Sequence, residues 1–175
     1  MRTTLLWIKK SKRLMKAILP FVFFTISSVA QATYSIVVAD KQTRQVGSAV
    51  TSCVSGASVA QVFGVVPGIG GINAQAFSNR EARDFAVQAF QSDIDARRIL
   101  DFISSKSYDV RNNFRQYGIV SFDDALAYSG SNNGAFASSI TEIDARFNYA
   151  IQGNILTGPR VLDQTEQDLK HQLVI

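Results

Sequence analysis

A single threonine carries the clearest chemistry in this sequence. Thr33 follows Ala30-Gln31-Ala32, whose small-x-small pattern is typical of a signal-peptidase cleavage site. Cleavage after Ala32 leaves Thr33 as the first residue, with a hydroxyl nucleophile and a free α-amine. Model α-amines titrate near pH ~7.7–8.0, so a neutral amine is available to take the hydroxyl proton. This pairing predicts amide hydrolysis by an N-terminal nucleophile, and the alternative is that Thr33 only begins an edge strand.

Residues 1–32 have the composition of an export signal. A basic segment precedes an apolar run over 17–30, which is shorter than the roughly 20 residues of a membrane helix and contains Pro20. Either Met1 or Met15 is the start, because a chain from Met15 still has a signal of ordinary length. A retained membrane anchor is the alternative to cleavage. We expect an exported protein, periplasmic or extracellular, whose partner during export is a signal peptidase.

The excess of basic residues belongs to this leader. Six of the 18 basic residues and none of the 14 acidic ones lie in residues 1–32, so the remaining 143 residues carry 12 against 14, a net charge of −2. A chain with this charge lacks the basic surface of nucleic-acid-binding proteins. Its length predicts one domain over 33–175 with a core of its own.

No pattern in the sequence predicts a cofactor or a metal. Histidine, cysteine and carboxylate residues do not occur at metal-ligand spacing, and Gly68-Ile69-Gly70 lacks the rest of the dinucleotide fingerprint. The single Cys53 forms no internal disulfide, and we predict that it is a small buried residue. The expected chemistry therefore uses only side chains and the chain terminus.

The sequence predicts strands, then two helices, then further strands and a last helix. Residues 33–40 are rich in β-branched and aromatic residues and are predicted as a strand, and residues 46–53 return as its hairpin partner. A capping box from Ser78 to Glu81 begins the first helix, and a second helix is predicted from Ser92 or Asp93. The other predictions are strands at 59–66, 69–77, 115–121, 125–129 and 148–156 and a helix from 158–159. Hairpin-connected strands with clustered helices indicate an α+β fold of two stacked sheets covered by helices.

Four side-chain amides on the predicted strands are candidates for an oxyanion or substrate pocket. An oxyanion needs hydrogen-bond donors aimed at it, and amides supply such donors without carrying a charge. The candidates are Asn73, Gln75, Gln152 and Asn154. A structural hydrogen bond is the alternative role for each of them.

Four segments of the chain are similar to the domain-of-unknown-function 1028 (DUF1028) family, whose members are labelled N-terminal-nucleophile (Ntn) hydrolases. The segments are TYSIV at 33–37, GSAVTS at 47–52, GIGGINAQA at 68–76 and IQGNIL at 151–156. The resemblance implies the four-layer αββα sandwich of Ntn hydrolases over residues 33–175. Two positions depart from the family pattern, with Cys53 where a basic residue is frequent and Ala74 where a threonine is frequent.

These observations support two hypotheses of different classes. The first is an exported Ntn-type amidohydrolase that uses Thr33 to attack a small amide or peptide-like bond. The second is a non-catalytic exported αββα domain that binds a ligand or forms a homo-oligomer through its sheets. A Thr33 that opens into a pocket lined by side-chain amides favours the first, and a Thr33 packed beneath a neighbouring layer favours the second.

Overall fold

The computed structural model describes residues 32–54, 56 and 58–173. Within these residues the chain is an α+β protein with two antiparallel four-stranded sheets and three α-helices, as the sequence predicts. The predicted signal peptide, including Ala30, lies outside the described residues except for Ala32. Among the described residues, none of the helices combines the length and the apolarity that a membrane crossing requires.

The strands and helices follow one another in the order expected for hairpins flanking a helical pair. The strands are β1 (Thr33–Asp40), β2 (Gln45–Ser52), β3 (Phe63–Val66), β4 (Gly70–Ala76), β5 (Arg115–Ser121), β6 (Ala125–Ser129), β7 (Ser138–Ile143) and β8 (Phe147–Asn154). The helices are α1 (Arg80–Gln91), α2 (Ala96–Ile103) and α3 (Arg160–Leu173). The predicted strand at 59–66 is wrong over its first half, where Val59–Val62 form a 3₁₀ helix.

The first sheet has the strand order β2-β1-β8-β7, so β1 lies inside it. Residues along β1 alternate between buried and half-buried, and the buried set begins with Thr33, Ser35 and Val37. Strand β1 pairs with β2 on one side and with β8 on the other. The alternative that Thr33 begins an edge strand is therefore wrong.

The second sheet has the order β3-β4-β5-β6, and its strands contact those of the first. Apolar residues form three clusters. One joins α1 and α2 to the second sheet, one lies between the sheets around Val37 and Val120, and one joins α3 to the first sheet around Ile151 and Leu162. Thr33 belongs to none of these clusters, whereas Ala32 packs against the cluster around Ile151 and Leu162.

Helices α1 and α2 begin at side-chain caps that differ from the predicted ones. Asn79 Oδ1 accepts a first-turn N–H at 3.1 Å, so the predicted cap at Ser78 is wrong by one residue. Asp95 Oδ1 caps α2 at 2.9 Å, so this helix begins later than the predicted Ser92 or Asp93. Either kind of side chain satisfies the free N–H groups of a first turn, so backbone geometry decides between neighbouring candidates.

The two sheets approach each other closely at Gly118 of β5. A Cβ at this position would lie 1.8 Å from Gln152 Oε1 and 2.6 Å from Gln152 Cδ. We expect Gly118→Ala to lower the free energy of unfolding by ~1–3 kcal/mol, because the buried Gln152 side chain has to leave its hydrogen bond to make room. Gly47→Ala is the matched control, since its Cβ would meet no atom within 4 Å. Urea unfolding of both variants checks this, and equal stabilities would contradict it.

Candidate active site

Thr33 lies in a row of three polar residues across the end of the first sheet. The register places it between Ser52 of β2 and Asn154 of β8, so the three side chains share one face. Thr33 Oγ1 lies 2.7 Å from Ser52 Oγ. Ser52 Oγ also accepts the N–H of Val54 at 3.2 Å. Either hydroxyl can be the donor in the Thr33–Ser52 hydrogen bond, and the Thr33 proton is free for a base when Ser52 donates.

Two cavities meet at Thr33. The first, of about 210 Å³, is lined by Thr33, Ala76, Asn154 and Ile155 among others. The second, of about 230 Å³, shares Thr33 and Ala76 with it and adds Ser52 and Gln75. Every described residue that lines either cavity has an uncharged, non-ionisable side chain. No side chain in this lining can therefore act as a base toward the Thr33 hydroxyl.

The backbone around Thr33 is already paired within the sheet. In the intact chain the Thr33 nitrogen is an amide joined to Ala32, whose carbonyl oxygen accepts the N–H of Cys53 at 3.0 Å. Successive residues of an antiparallel strand turn their backbone groups to opposite neighbours, so the Thr33 nitrogen faces its register partner Asn154. Cleavage before Thr33 produces an amine that lies beside the Asn154 carbonyl and its own hydroxyl.

A layer of buried amides joins the two sheets behind Thr33. Gln75 Nε2 donates to Gln116 Oε1 at 2.8 Å, and Asn154 Nδ2 donates to the same oxygen at 3.2 Å. Gln116 Nε2 donates to Gly153 O at 2.9 Å and to Ser129 Oγ at 2.8 Å. Gln116 is thus the centre of this layer, although it is absent from the sequence-predicted site. The sequence did not single it out, because Gln116 follows the charged Arg115 at the start of β5.

The four sequence-predicted amides occupy two different places. Asn154 lines the first cavity and Gln75 the second, whereas Asn73 and Gln152 are not among the residues that line either. Asn73 Oδ1 accepts the Ser48 hydroxyl at 2.8 Å, and Gln152 Nε2 donates to Asn73 O at 3.2 Å. These two amides hold the sheets together away from Thr33.

The two amides at the cavities differ in the hydrogen-bonding groups that remain free. Gln75 Nε2 gives its hydrogens to Gln116 Oε1 and to the Gln152 carbonyl at 3.3 Å, while its buried Oε1 has no partner among the described residues. Asn154 Nδ2 gives one hydrogen to Gln116 and keeps the second. Asn154 is therefore a candidate donor, and Gln75 is a candidate acceptor.

Strained backbone flanks the first cavity. Ala76, at the end of β4, has φ 66°, and Ile155, after β8, has φ 53°. A β-branched residue in the left-handed region is rare, and such conformations cost ~1–3 kcal/mol each. Both residues line the cavity that contains Thr33. Backbone strain of this kind is concentrated at functional sites. The two strained residues therefore indicate a functional site at this cavity, independently of Thr33.

A buried ion pair holds the chain where β4 leaves the cavities. Arg115 Nε lies 2.6 Å from Asp109 Oδ2, and the two side chains are 5% and 10% exposed. The same guanidinium donates to the backbone carbonyls of Phe77 and Ser78. Burial raises the pKa of the Asp109 carboxyl, but the hydrogen bonds from Arg115 and the Arg111 N–H outweigh it, so the pKa lies below its ordinary value. The pair thus stays charged and fixes this segment.

No lysine or cysteine is among the described residues that line either Thr33 cavity. Lys41 follows β1, Lys106 is exposed, and Lys170 pairs with Glu166 on α3 at 2.9 Å. Cys53 is exposed, so the prediction that it is buried is wrong. The part of the chain that the structure describes contains no group of three or more potential metal ligands.

Comparison with known proteins gives one family and one solved structure. The model of the family described as "Family of unknown function (DUF1028)" matches residues 33–173. A crystal structure of a DUF1028 protein from Silicibacter pomeroyi is similar to this chain, with a TM-score of 0.65 and 21% identity over 75% of it. This chain spans 56% of the length of that protein. No curated protein sequence matches. At this identity the similarity shows the fold alone.

Proposed function

The chain belongs to the DUF1028 family, and we propose that it is an exported N-terminal-nucleophile amidohydrolase with Thr33 as its nucleophile. Its substrate is a small amide or peptide-like compound. The proposed architecture is the four-layer αββα sandwich of Ntn hydrolases. The apolar cluster between the sheets, together with the clusters beneath α1, α2 and α3, supports this layering.

One observation carries the proposal. The Thr33 hydroxyl lies between two cavities whose described lining contains no acid or base. A hydroxyl is a weak nucleophile unless a neighbouring group takes its proton. The α-amine that cleavage creates on the same residue is the one base within reach that the processed chain provides.

The acylation step follows from this geometry. The α-amine accepts the hydroxyl proton as Thr33 Oγ1 attacks the amide carbonyl carbon. The C–N bond breaks, the proton passes to the leaving nitrogen, and the acyl group remains on Oγ1 as an ester. The second hydrogen of Asn154 Nδ2 donates to the carbonyl oxygen as negative charge develops there. Ser52 keeps the hydroxyl oriented during the attack.

Water then releases the acyl group. The α-amine takes a proton from the water, the resulting hydroxide adds to the ester carbonyl, and Oγ1 leaves and recovers the proton. One amide and one water thus give one carboxylic acid and one amine.

Removal of Asn154 tests the assignment of the oxyanion donor. We expect Asn154→Ala to lower kcat by ~10²–10³-fold, because one preorganised donor to the developing charge is lost. Asn113→Ala is the control, since Asn113 is half-buried and lines neither cavity. The measurement is kcat at saturating substrate together with urea unfolding. A kcat within threefold of the unmodified protein, with the fold retained, would remove Asn154 from this role.

Mass spectrometry of the exported protein tests the proposal as a whole. The processed chain, purified from a host that secretes it, is expected to begin at Thr33. Incubation with a panel of N-acyl anilides should then add one acyl group to the N-terminal peptide and release free aniline. A first residue other than Thr33 contradicts the proposal. A correctly processed chain that cleaves no amide leaves the non-catalytic αββα domain as the better account.

A further inference from the structure

Large apolar side chains surround the first Thr33 cavity. Eight large hydrophobic residues of the described chain are strongly exposed, and four of them line this one cavity. The four are Val54, Phe77, Phe114 and Ile155, with exposed fractions of 41%, 53%, 41% and 42%. Exposed apolar groups scattered singly need no explanation, but a contiguous set around a cavity marks a binding surface. We call these four residues the apolar rim.

Ile155 is held in the rim against its own backbone preference. Its φ of 53° is unfavourable for a β-branched residue. The Ile155 N–H donates to Asn133 O at 3.2 Å, and a Cβ on Gly134 would lie 2.7 Å from Ile155 Cγ1. The loop at 133–134 therefore fixes the isoleucine where glycine would be the relaxed choice. An exposed isoleucine in a strained backbone conformation at the edge of a cavity indicates that its side chain contacts a ligand.

The size and polarity of the cavity specify the kind of group it takes. Apolar cavities of about 150 Å³ accept benzene, so a cavity of about 210 Å³ has room for one aromatic or branched aliphatic side chain. Its described lining carries no charge. Two cations lie beside the rim, because the guanidinium carbons of Arg111 and Arg115 are 5.0 and 4.8 Å from the centre of the Phe77 ring. The Thr33 hydroxyl lies at one end of this surface, next to Asn154.

We infer that the substrate is an amide bearing an aromatic or branched aliphatic group, which lies on the apolar rim while the amide carbonyl reaches Thr33. That the bound amide is hydrolysed rests on the proposed function. That the site prefers an apolar group rests on the four residues of the apolar rim. Small polar amides lack the group that the rim contacts, so they bind weakly and react slowly.

Ligand binding without turnover tests this inference. The one tryptophan of the sequence is Trp7, so the processed chain contains none and the fluorescence of N-acetyl-tryptophanamide reports on the ligand alone. With the processed Thr33→Ala protein we expect a rise in ligand anisotropy and a blue shift of its emission. N-acetyl-leucinamide should displace the probe, and N-acetyl-serinamide should need about tenfold or more higher concentration to do so.

A glycine substitution separates loss of the rim from loss of the fold. Ile155→Gly removes the apolar group and relieves the positive φ, so stability should hold or rise while affinity for the probe falls about tenfold. Ile143→Gly is the matched control, because Ile143 is 56% exposed and lines neither cavity. Val54→Ser provides a second rim variant whose backbone is not strained, and it should weaken the probe similarly.

The outcomes distinguish this inference from the proposed function. Equal competition by the serine and leucine amides, or an unchanged affinity in both rim variants, overturns the apolar specificity. Rim-dependent binding by a protein that hydrolyses no amide retains the site as a ligand site and removes the hydrolase proposal. Turnover of small polar amides by a protein that does not bind the probe would retain the hydrolase proposal and overturn the apolar specificity.

Discussion

Replacing Thr33 by alanine in the processed chain is expected to reduce amide hydrolysis by about 10⁴-fold or more, because nucleophile removal leaves only substrate binding and the oxyanion donor. The fold should remain, since the hydroxyl makes one hydrogen bond, to Ser52, and the core clusters do not include Thr33. Thr51→Ala is the matched control, because Thr51 is exposed on the neighbouring strand. Initial rates and urea unfolding are measured for both. Comparable rates for the two variants would place the nucleophile elsewhere.

A similar loss of hydrolysis is expected for a protein in which Thr33 keeps its hydroxyl but has no free α-amine. A chain that retains Ala32 holds the Thr33 nitrogen in a peptide bond, so the base is gone and the rate should fall to a similar extent. For the processed chain, kcat should rise with pH through the range near ~7.7–8.0 in which model α-amines lose their proton. A chain with Ala32 retained and unchanged activity would show that the base is not the terminal amine.

Breaking the buried pair of Arg115 and Asp109 is expected to cost ~3–5 kcal/mol, because the remaining charge stays buried without its partner. A domain of this size has a total stability of ~5–15 kcal/mol, so the effect is large. Arg115→Met also frees the carbonyls of Phe77 and Ser78, next to the cavities. Arg98→Met is the control, since Arg98 pairs with Asp95 at the surface, with 82% and 51% exposed side chains, and should change stability by ~0–1 kcal/mol. Similar unfolding midpoints for both variants would contradict this role.

The pair also gives the stability a dependence on acid. Aspartate in an unfolded chain titrates near pH ~3.9, and the folded pKa of Asp109 is lower. A depressed folded pKa contributes stability above the unfolded value, and this contribution is lost as pH falls through the folded one. As pH falls below ~4, the free energy of unfolding of the unmodified protein should therefore decrease more steeply than that of Asp109→Asn. The Arg146 hydrogen bond lowers the pKa of Asp40 to about 2. Asp40 is present in both proteins, so its contribution to the pH dependence cancels in the comparison.

The sequence predicted the α+β class and most strands because their residues alternate or lie between turn signals. Strand β7 was not predicted. Its residues Ser138–Ile143 are mostly polar and half-buried, because β7 lies at the edge of its sheet. The sequence predicts a strand at Val59–Val62, where the structure has a 3₁₀ helix, because so short a segment with three apolar residues fits either element. The resemblance to the DUF1028 family is confirmed by the family match.

The sequence singles out Thr33, the proposed nucleophile, and only part of its surroundings. Thr33 stood out because the cleavage pattern precedes it in the chain. Ser52 and Gln116 lie far from it in sequence. The pairing of β1 with β2 places Ser52 beside Thr33, and the packing of the two sheets places Gln116 against Asn154. The rim residue Ile155 could not be foreseen, because its exposure depends on a backbone conformation that its residue type disfavours.

Because the Ala32 carbonyl is hydrogen-bonded to Cys53, the bond before Thr33 lies inside the folded sheet. Proteases cut segments that are extended and free of partners, and a bond within a paired strand is shielded until that strand opens. The leader removal that we propose is therefore expected to occur before strands β2 and β8 pair with β1. Under this proposal, a molecule that folds first keeps Ala32 attached to Thr33 and lacks the free α-amine.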